Sequence, residues 1–352
     1  MLNTHLLRNL DVIYRSGCWI HRNLYNINIL SKIGLDAPVI GVGNLSFGGS
    51  GKTMLVQYLA ENLVKKGFAV GVVCRSYGGL AGPHELTGGN LDPYVIGDEA
   101  ALLYCLLGLG EGTERIWISS GEDKTAAAKL MLRRRPEVDV ILIDDAFQHH
   151  RIRRDLDLLI WPKNGVPLRD YRSAQRGADI LLVPNGMRSP REESETVYFV
   201  KETGEIHAGV KPTTATGPGV SRRGAISLTP DQKILWVAGL GPETDFFDQC
   251  RKIRPASETP APWAPEALIR PQGTSDRYLR LPDHVDYHNR AVQSKLLAEA
   301  DGCDALVTTA KDAVKLIPLA LALPPIYVVP VRIKILSNES LLWKKIEECL
   351  ND

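Results

Sequence analysis

A chain of 352 residues with net charge +1, 44% hydrophobic and 24% charged side chains is long enough for about two globular domains. The near-neutral balance excludes a dominant nucleic-acid surface. Six scattered cysteines with no CxxC pair argue for reduced thiols in a cytosolic compartment and against a thiolate metal site.

Residues 5–25 predict an amphipathic helix. Leu6, Leu10, Ile13, Gly17, Ile20 and Leu24 recur at three- and four-residue steps, and Arg8, Arg15 and Arg22 fall on the opposite face. Such a helix suits either a domain core with a solvated arginine face or the headgroup boundary of an anionic membrane. No signal-peptide pattern precedes it. The longest uncharged run, Leu316 to Val331, is broken by four prolines and is too short to span a bilayer.

Val39, Ile40 and Val42 form a buried strand, and Leu55, Val56, Leu59 and Leu63 recur at helical spacing. Between them lies Ser46-Phe47-Gly48-Gly49-Ser50-Gly51-Lys52-Thr53. Glycines let successive N–H groups turn inward toward phosphate oxygens, and the dipole of the new helix faces the same anion. Lys52 can reach the β- and γ-phosphates of a nucleotide, and the Thr53 hydroxyl can ligate Mg²⁺. Serine stands where this motif usually begins with glycine.

Residues 69–74 read as a second strand. A polar stretch follows, then Asp98 in a helix N-cap position before an apolar run. Residues 138–143 predict a central strand running into Asp144 and Asp145. A carboxylate emerging there can hold Mg²⁺ beside the phosphate loop. Further strands at 157–161 and 180–183 complete an alternating pattern that predicts a parallel sheet covered on both faces.

The composition changes near residue 185. Residues 196–206 and 326–335 predict strands that bracket a second α/β unit and could pair as a two-stranded linker. A terminal helix over 337–350 would then pack back on the first unit. The predicted fold is thus a P-loop NTPase-like parallel-sheet domain with a smaller α/β domain joined by a two-stranded β linker. The expected organisation is an N-terminal helix at 1–30, a kinase domain at 31–195, a second domain at 196–335 and a returning helix at 336–352.

Several spaced motifs point the same way: GVGNLSFGGSGKT, CRSYGG, GDEA, DDAFQHHRIRRDLDLL, GVPLRD, AGLGPETDFF, LPDHVDY and VTTAKDAVKL. Together they resemble the tetraacyldisaccharide 4′-kinases of the lipid A pathway in Gram-negative bacteria, over nearly the whole chain. That family also accepts Ser at the position of Ser46. The chain departs from it at Ser76, Asp170, Ala310 and Leu281.

The resemblance implies ATP-dependent phosphorylation of the 4′-hydroxyl of a tetraacylated disaccharide 1-phosphate, giving lipid IVA, with ATP and Mg²⁺ required. It implies Asp98 as the base, supported by His284. Arg75, Tyr77, Gln148, Arg169 and Asp170 are candidates for ligand contacts. The acylated substrate sits in the inner membrane, so the first helix becomes a membrane-facing surface and the enzyme a peripheral protein of its cytoplasmic face. No nucleic acid or obligate protein partner is implied. A membrane-associated ATPase switch of the partitioning type is the alternative, although its loop carries an extra lysine where this chain has Ser46-Phe47.

Overall fold

The computed structural model describes residues 15–46, 50–76, 79, 82–86, 93–107, 115–163, 168–210, 219–220, 228–229, 231–239, 246–247, 276–282, 285–319 and 321–351. Its first helix, α1, covers residues 15–26. The first half of the chain then supplies strands β1 (Val39–Asn44), β2 (Val70–Cys74), β3 (His84–Leu86), β4 (Ile116–Ser120), β5 (Val140–Ile143), β6 (Leu156–Ile160) and β7 (Ile180–Pro184). Helices α2 (Lys52–Lys65), α3 (Pro93–Ile96), α4 (Asp98–Leu107) and α5 (Lys124–Arg134) lie between them. The second half holds β8 (Thr196–Thr203), β9 (His207–Val210), β10 (Gly219–Val220), β11 (Ile234–Gly239), β12 (Arg277–Leu281), β13 (Ala305–Thr309), β14 (Ile326–Val329) and β15 (Val331–Ser337), with α6 (Arg290–Ala300), α7 (Ala310–Leu316) and α8 (Glu339–Asn351).

Two sheets result. The larger has nine strands in the order β15-β8-β7-β6-β1-β5-β2-β4-β3, and the smaller six in the order β10-β9-β14-β13-β11-β12. From β8 to β4 every pairing in the large sheet is parallel. The antiparallel β15 and β3 close its edges. The inner strands β1, β2 and β5 are buried along their whole length, as near-continuous apolar runs demand when helices cover both faces. On one face Ile40, Val42, Val72 and Leu142 pack against Leu55, Leu59 and Leu63 of α2 and Leu103 of α4. On the other, Ile141 and Ile143 meet Ala127, Ala128 and Met131 of α5.

Two expectations change in detail. The strand anticipated over 326–335 is broken at Pro330, which has no N–H to donate. Its first part, β14, belongs to the small sheet and its second, β15, to the large one. The β8–β15 pair does form, but β8 also pairs with β7, so the link between the units is the outer edge of the large sheet. Gly204 and Pro330 close it, with the Gly204 N–H donating to the Pro330 carbonyl at 2.7 Å.

Helix α8 packs on the large sheet. Leu342 and Ile346 are buried in the large core, and Lys66 pairs with Glu347 at 2.8 Å. Helix α1 differs from its predicted arrangement. Arg22 turns inward onto Asp170, while Trp19 and Ile20 are about half exposed. The reason is electrostatic: the Asp170 side chain is 1% exposed, and a carboxylate so buried needs a cation.

Candidate active site

The site lies at the carboxyl edge of the large sheet. Beyond β1 the chain enters α2, and β5 and β6 flank β1 on its two sides. In an open parallel sheet, the crevice outside the strand ends at such a point is where ligands bind. Gly51, just before α2, has φ 102°, a left-handed conformation that a side chain would resist. Gly43 serves close approach instead: an added Cβ would overlap Phe147 and push away the turn that follows β5.

That turn carries the acidic pair. The Thr53 hydroxyl donates to Asp144 Oδ2 at 3.0 Å. Lys52 Nζ donates to Asn44 Oδ1 at 3.1 Å and lies 3.3 Å from Asp145 Oδ1. Arg169 Nη1 reaches both Asp145 oxygens, at 3.0 and 2.7 Å. Gln148 donates to the Asn44 carbonyl at 2.8 Å, and its own buried Oε1 meets no partner among the described residues. Asn44 in turn donates to the hydroxyls of Ser46 and Ser50, at 3.2 and 2.8 Å.

The two carboxylates differ in charge state. Burial, with the negative charge of Glu99 close by, pushes Asp144 up to about 7 against the pull of Lys52. Burial would raise Asp145 as well, but Lys52, Lys124 and Arg169 outweigh it and hold that carboxyl well below the usual range. The Thr53 hydroxyl and the Asp144 carboxylate thus meet at the mouth of the loop, with Asp145 next in the chain and held against Lys52. This is the donor set that Mg²⁺ takes when a nucleotide's phosphates fill the rest of its shell. A larger protein cage is not needed for that role, and no group of three or more His, Cys, Asp or Glu that could hold a metal occurs among the described residues.

Asp98 stands at the first turn of α4, after Gly97 at φ 92°. Its Oδ2 lies 2.9 Å from Lys315 Nζ, on α7 of the other unit. Arg75 is exposed just beyond β2. Asp170 accepts from Arg22 and from the Tyr171 N–H. Phe47, Gly48, Gly49, Tyr77 and His284 lie outside the described residues, so the expected contacts of the loop centre and the Asp98–His284 pairing are not described.

Three participants lie beyond the residues that the sequence singles out. Lys124, 4% exposed, donates to the backbone carbonyls of Asp144 and Asp145 at 2.5 and 2.8 Å. It supports Asp145 in a left-handed turn at φ 52°. Asn44 is the hub of the loop hydroxyls. Lys201 on β8 extends over Gly51, its Cε 3.0 Å from where a Cβ would stand. A signal for Lys124 does exist in the chain, since Asp123 caps α5 and puts the next residue in its first turn. A cleft beside the loop, lined by Ser50, Trp161, Lys163, Asn185, Phe199 and Lys201 among others, leads away along the ends of β6, β7 and β8.

Comparison with known proteins places the chain in a family. The family model described as LpxK, tetraacyldisaccharide-1-P 4′-kinase, matches residues 3–351. The tetraacyldisaccharide 4′-kinase of Azoarcus sp. (strain BH72) is 33% identical over 258 residues, 69% of this chain and 70% of that protein. The enzyme of the same name from Chromobacterium violaceum is 31% identical over 297 residues, 80% of this chain and 75% of that protein. A crystal structure of LpxK from Aquifex aeolicus in complex with ATP shares the fold, with TM-score 0.71 at 24% identity over 99% of this chain and 100% of that one. With the family model matching almost end to end, the chain belongs to the tetraacyldisaccharide-1-P 4′-kinase family.

Proposed function

We propose that this protein transfers the γ-phosphoryl group of ATP to the 4′-hydroxyl of a tetraacylated disaccharide 1-phosphate, at the cytoplasmic face of the inner membrane. The observation that carries the reading is the joining of Lys52 and Thr53 to the Asp144–Asp145 pair at the end of β1. Phosphoryl transfer asks chiefly for alignment and charge neutralisation. The N–H groups of the loop and Lys52 would hold the phosphates. The nucleoside would extend into the cleft toward Trp161 and Asn185. Thr53, Asp144 and Asp145 would hold Mg²⁺, which when bound neutralises charge on the phosphate oxygens.

Asp98 would accept the hydroxyl proton, with His284 raising its effective basicity. Val285, the residue after His284, bonds through its carbonyl to Lys315, which also pairs with Asp98. That chain of contacts supports the pairing of Asp98 and His284 across the two units. Closure of the second unit over the first would complete the site and exclude water.

The lipid acceptor favours a membrane-facing α1. Trp19 and Ile20 on the helix and Ile27 and Ile29 just after it are 50–65% exposed. No helix among the described residues is long and apolar enough to cross a membrane, so attachment would be by insertion of this edge into the interface. Family membership disfavours the nucleotide-switch alternative.

The test is incubation with γ-labelled ATP and the acylated disaccharide 1-phosphate in mixed micelles, with lipids then separated by chromatography. Labelled lipid is expected from the wild type and not from Lys52→Ala. Asp98→Asn should turn over about 10²–10⁴-fold more slowly, the usual range for a general base. Release of labelled phosphate alone, with no labelled lipid, would overturn the reading.

A further inference from the structure

We infer that Lys315 is a positioning residue for the transfer, one that fixes the Asp98 carboxylate of the first unit against the loop after β12 in the second. The inference rests on the reading of Asp98 as proton acceptor. Lys315 lies on α7 with its side chain 3% exposed. Its ammonium is 2.9 Å from Asp98 Oδ2 and donates to the Val285 carbonyl at 3.2 Å. It also stands 5.8 Å from the centre of the Tyr287 ring.

The surroundings hold this ammonium in one place. The Tyr287 hydroxyl donates to Asp312 at 2.9 Å. The same carboxylate accepts from the Gly239 N–H at 3.0 Å and from the Thr309 hydroxyl at 2.7 Å. The end of β11, the corner between β13 and α7, and the loop after β12 are thereby tied into one rigid mount. Beside it, Leu102 and Leu106 of α4 pack on Ala310, Ala313 and Ile317, an apolar joint between the units.

An apolar joint does not by itself call for a buried lysine. Burying an ammonium costs desolvation, and an apolar residue of similar length usually serves packing as well or better. Here the charge is directed at the carboxylate that the proposed chemistry uses as proton acceptor. By gripping Oδ2 and the Val285 carbonyl together, Lys315 sets the distance between Asp98 and the backbone of Val285. A carboxylate misplaced by an ångström loses much of its rate advantage, while ATP, bound at the other unit's loop, is held as before.

The experiment measures kcat and KM for ATP in the 4′-kinase assay for wild type, Lys315→Met, Asp98→Asn and the double variant, with folding checked by circular dichroism. Lys315→Met is expected to lower kcat by about 10-fold to 10²-fold with KM for ATP within about twofold, the pattern of a lost transition-state interaction. The double variant should be no slower than Asp98→Asn alone, because the two residues act as one unit. Lys315→Met at wild-type kcat beside an impaired Asp98→Asn would overturn the role of Lys315 and leave the base assignment standing, and so would losses that multiply in the double variant. Asp98→Asn at wild-type kcat would overturn both. Should Lys315→Met fail to fold, Lys315→Leu, which also removes the donor, takes its place in the same comparison: a lowered kcat with KM for ATP within about twofold supports the positioning role and a wild-type kcat overturns it.

Discussion

Thr53 on α2 donates its hydroxyl hydrogen to Asp144 at the end of β5, 3.0 Å away, and so bridges the phosphate loop to the acidic turn. Asp144 is wholly buried with Glu99 nearby. Its position therefore suits a cation and, in metal-free protein, costs stability.

Asp144→Asn makes that cost measurable. The folded carboxyl titrates at about 7 and the unfolded one near its ordinary 3.8. Between those values the folded state binds more protons, so stability in metal-free buffer falls as pH rises from about 4 through about 7 and stays low above. Asparagine mimics the neutral form. The variant should melt higher than wild type in EDTA at pH 8 and equal to it near pH 4, while losing most kinase activity. Melting curves at both pH values check this; a variant less stable than wild type at pH 8 refutes it.

Lys124→Met should damage the acidic turn from behind. The ammonium satisfies the Asp144 and Asp145 carbonyls, and its removal leaves them without that donor in a buried site. The cost is about 1–3 kcal/mol for each unsatisfied group. Asp145 would relax from its left-handed turn and loosen its contact with Lys52. Denaturant titration should register the loss, and KM for ATP should rise with it. An unchanged midpoint and unchanged KM would remove Lys124 from the site.

What can be read in the chain follows the range of the forces involved. The phosphate loop, the Asp144–Asp145 pair and the inner strands are written locally, in glycine spacing and in β-branched runs such as VDVILI. Strand β12 is hard to see because Arg277 and Arg280 interrupt its apolar pattern; Arg277 is tied to the Glu299 and Asp301 carbonyls, a partnership only the fold reveals. The inward turn of Arg22 is hidden for the same reason. Helical periodicity says which residues share a face, but the buried carboxylate that attracts Arg22 lies 148 positions away. Lys315 likewise owes its role to a partner 217 positions away.

The Arg22–Asp170 pair ties α1 to the segment that carries Arg169. Burial raises Asp170 toward neutrality and Arg22 opposes it. Arg22→Ala should destabilise the protein by about 3 kcal/mol, because it strands a buried charge. Arg22→Ala with Asp170→Asn should recover much of that loss, since no charge is then left unmatched. A double-mutant cycle on melting free energies tests the coupling; additive losses would mean that α1 is held by its other contacts alone, among them Ser16 to Tyr171 at 3.1 Å.

Acid should loosen the same helix through His150, which lies 5.7 Å from the ring of His21 and 6.1 Å from that of Tyr25 on α1. Burial, with Arg154, His21 and Arg22 nearby, lowers the folded imidazole to about 3 from its ordinary 6.5. The unfolded chain thus binds the proton first as pH falls. Stability from this group is complete above about 6.5 and is lost progressively as pH drops toward 3. His150→Phe keeps a ring against Tyr25 and removes the proton site. Its melting temperature should fall less than that of the wild type between pH 7 and pH 5, and hydrogen exchange in residues 15–26 should rise less over the same interval. Equal losses in both proteins would assign the acid sensitivity to other groups, with His149, lowered to about 4, the next to replace.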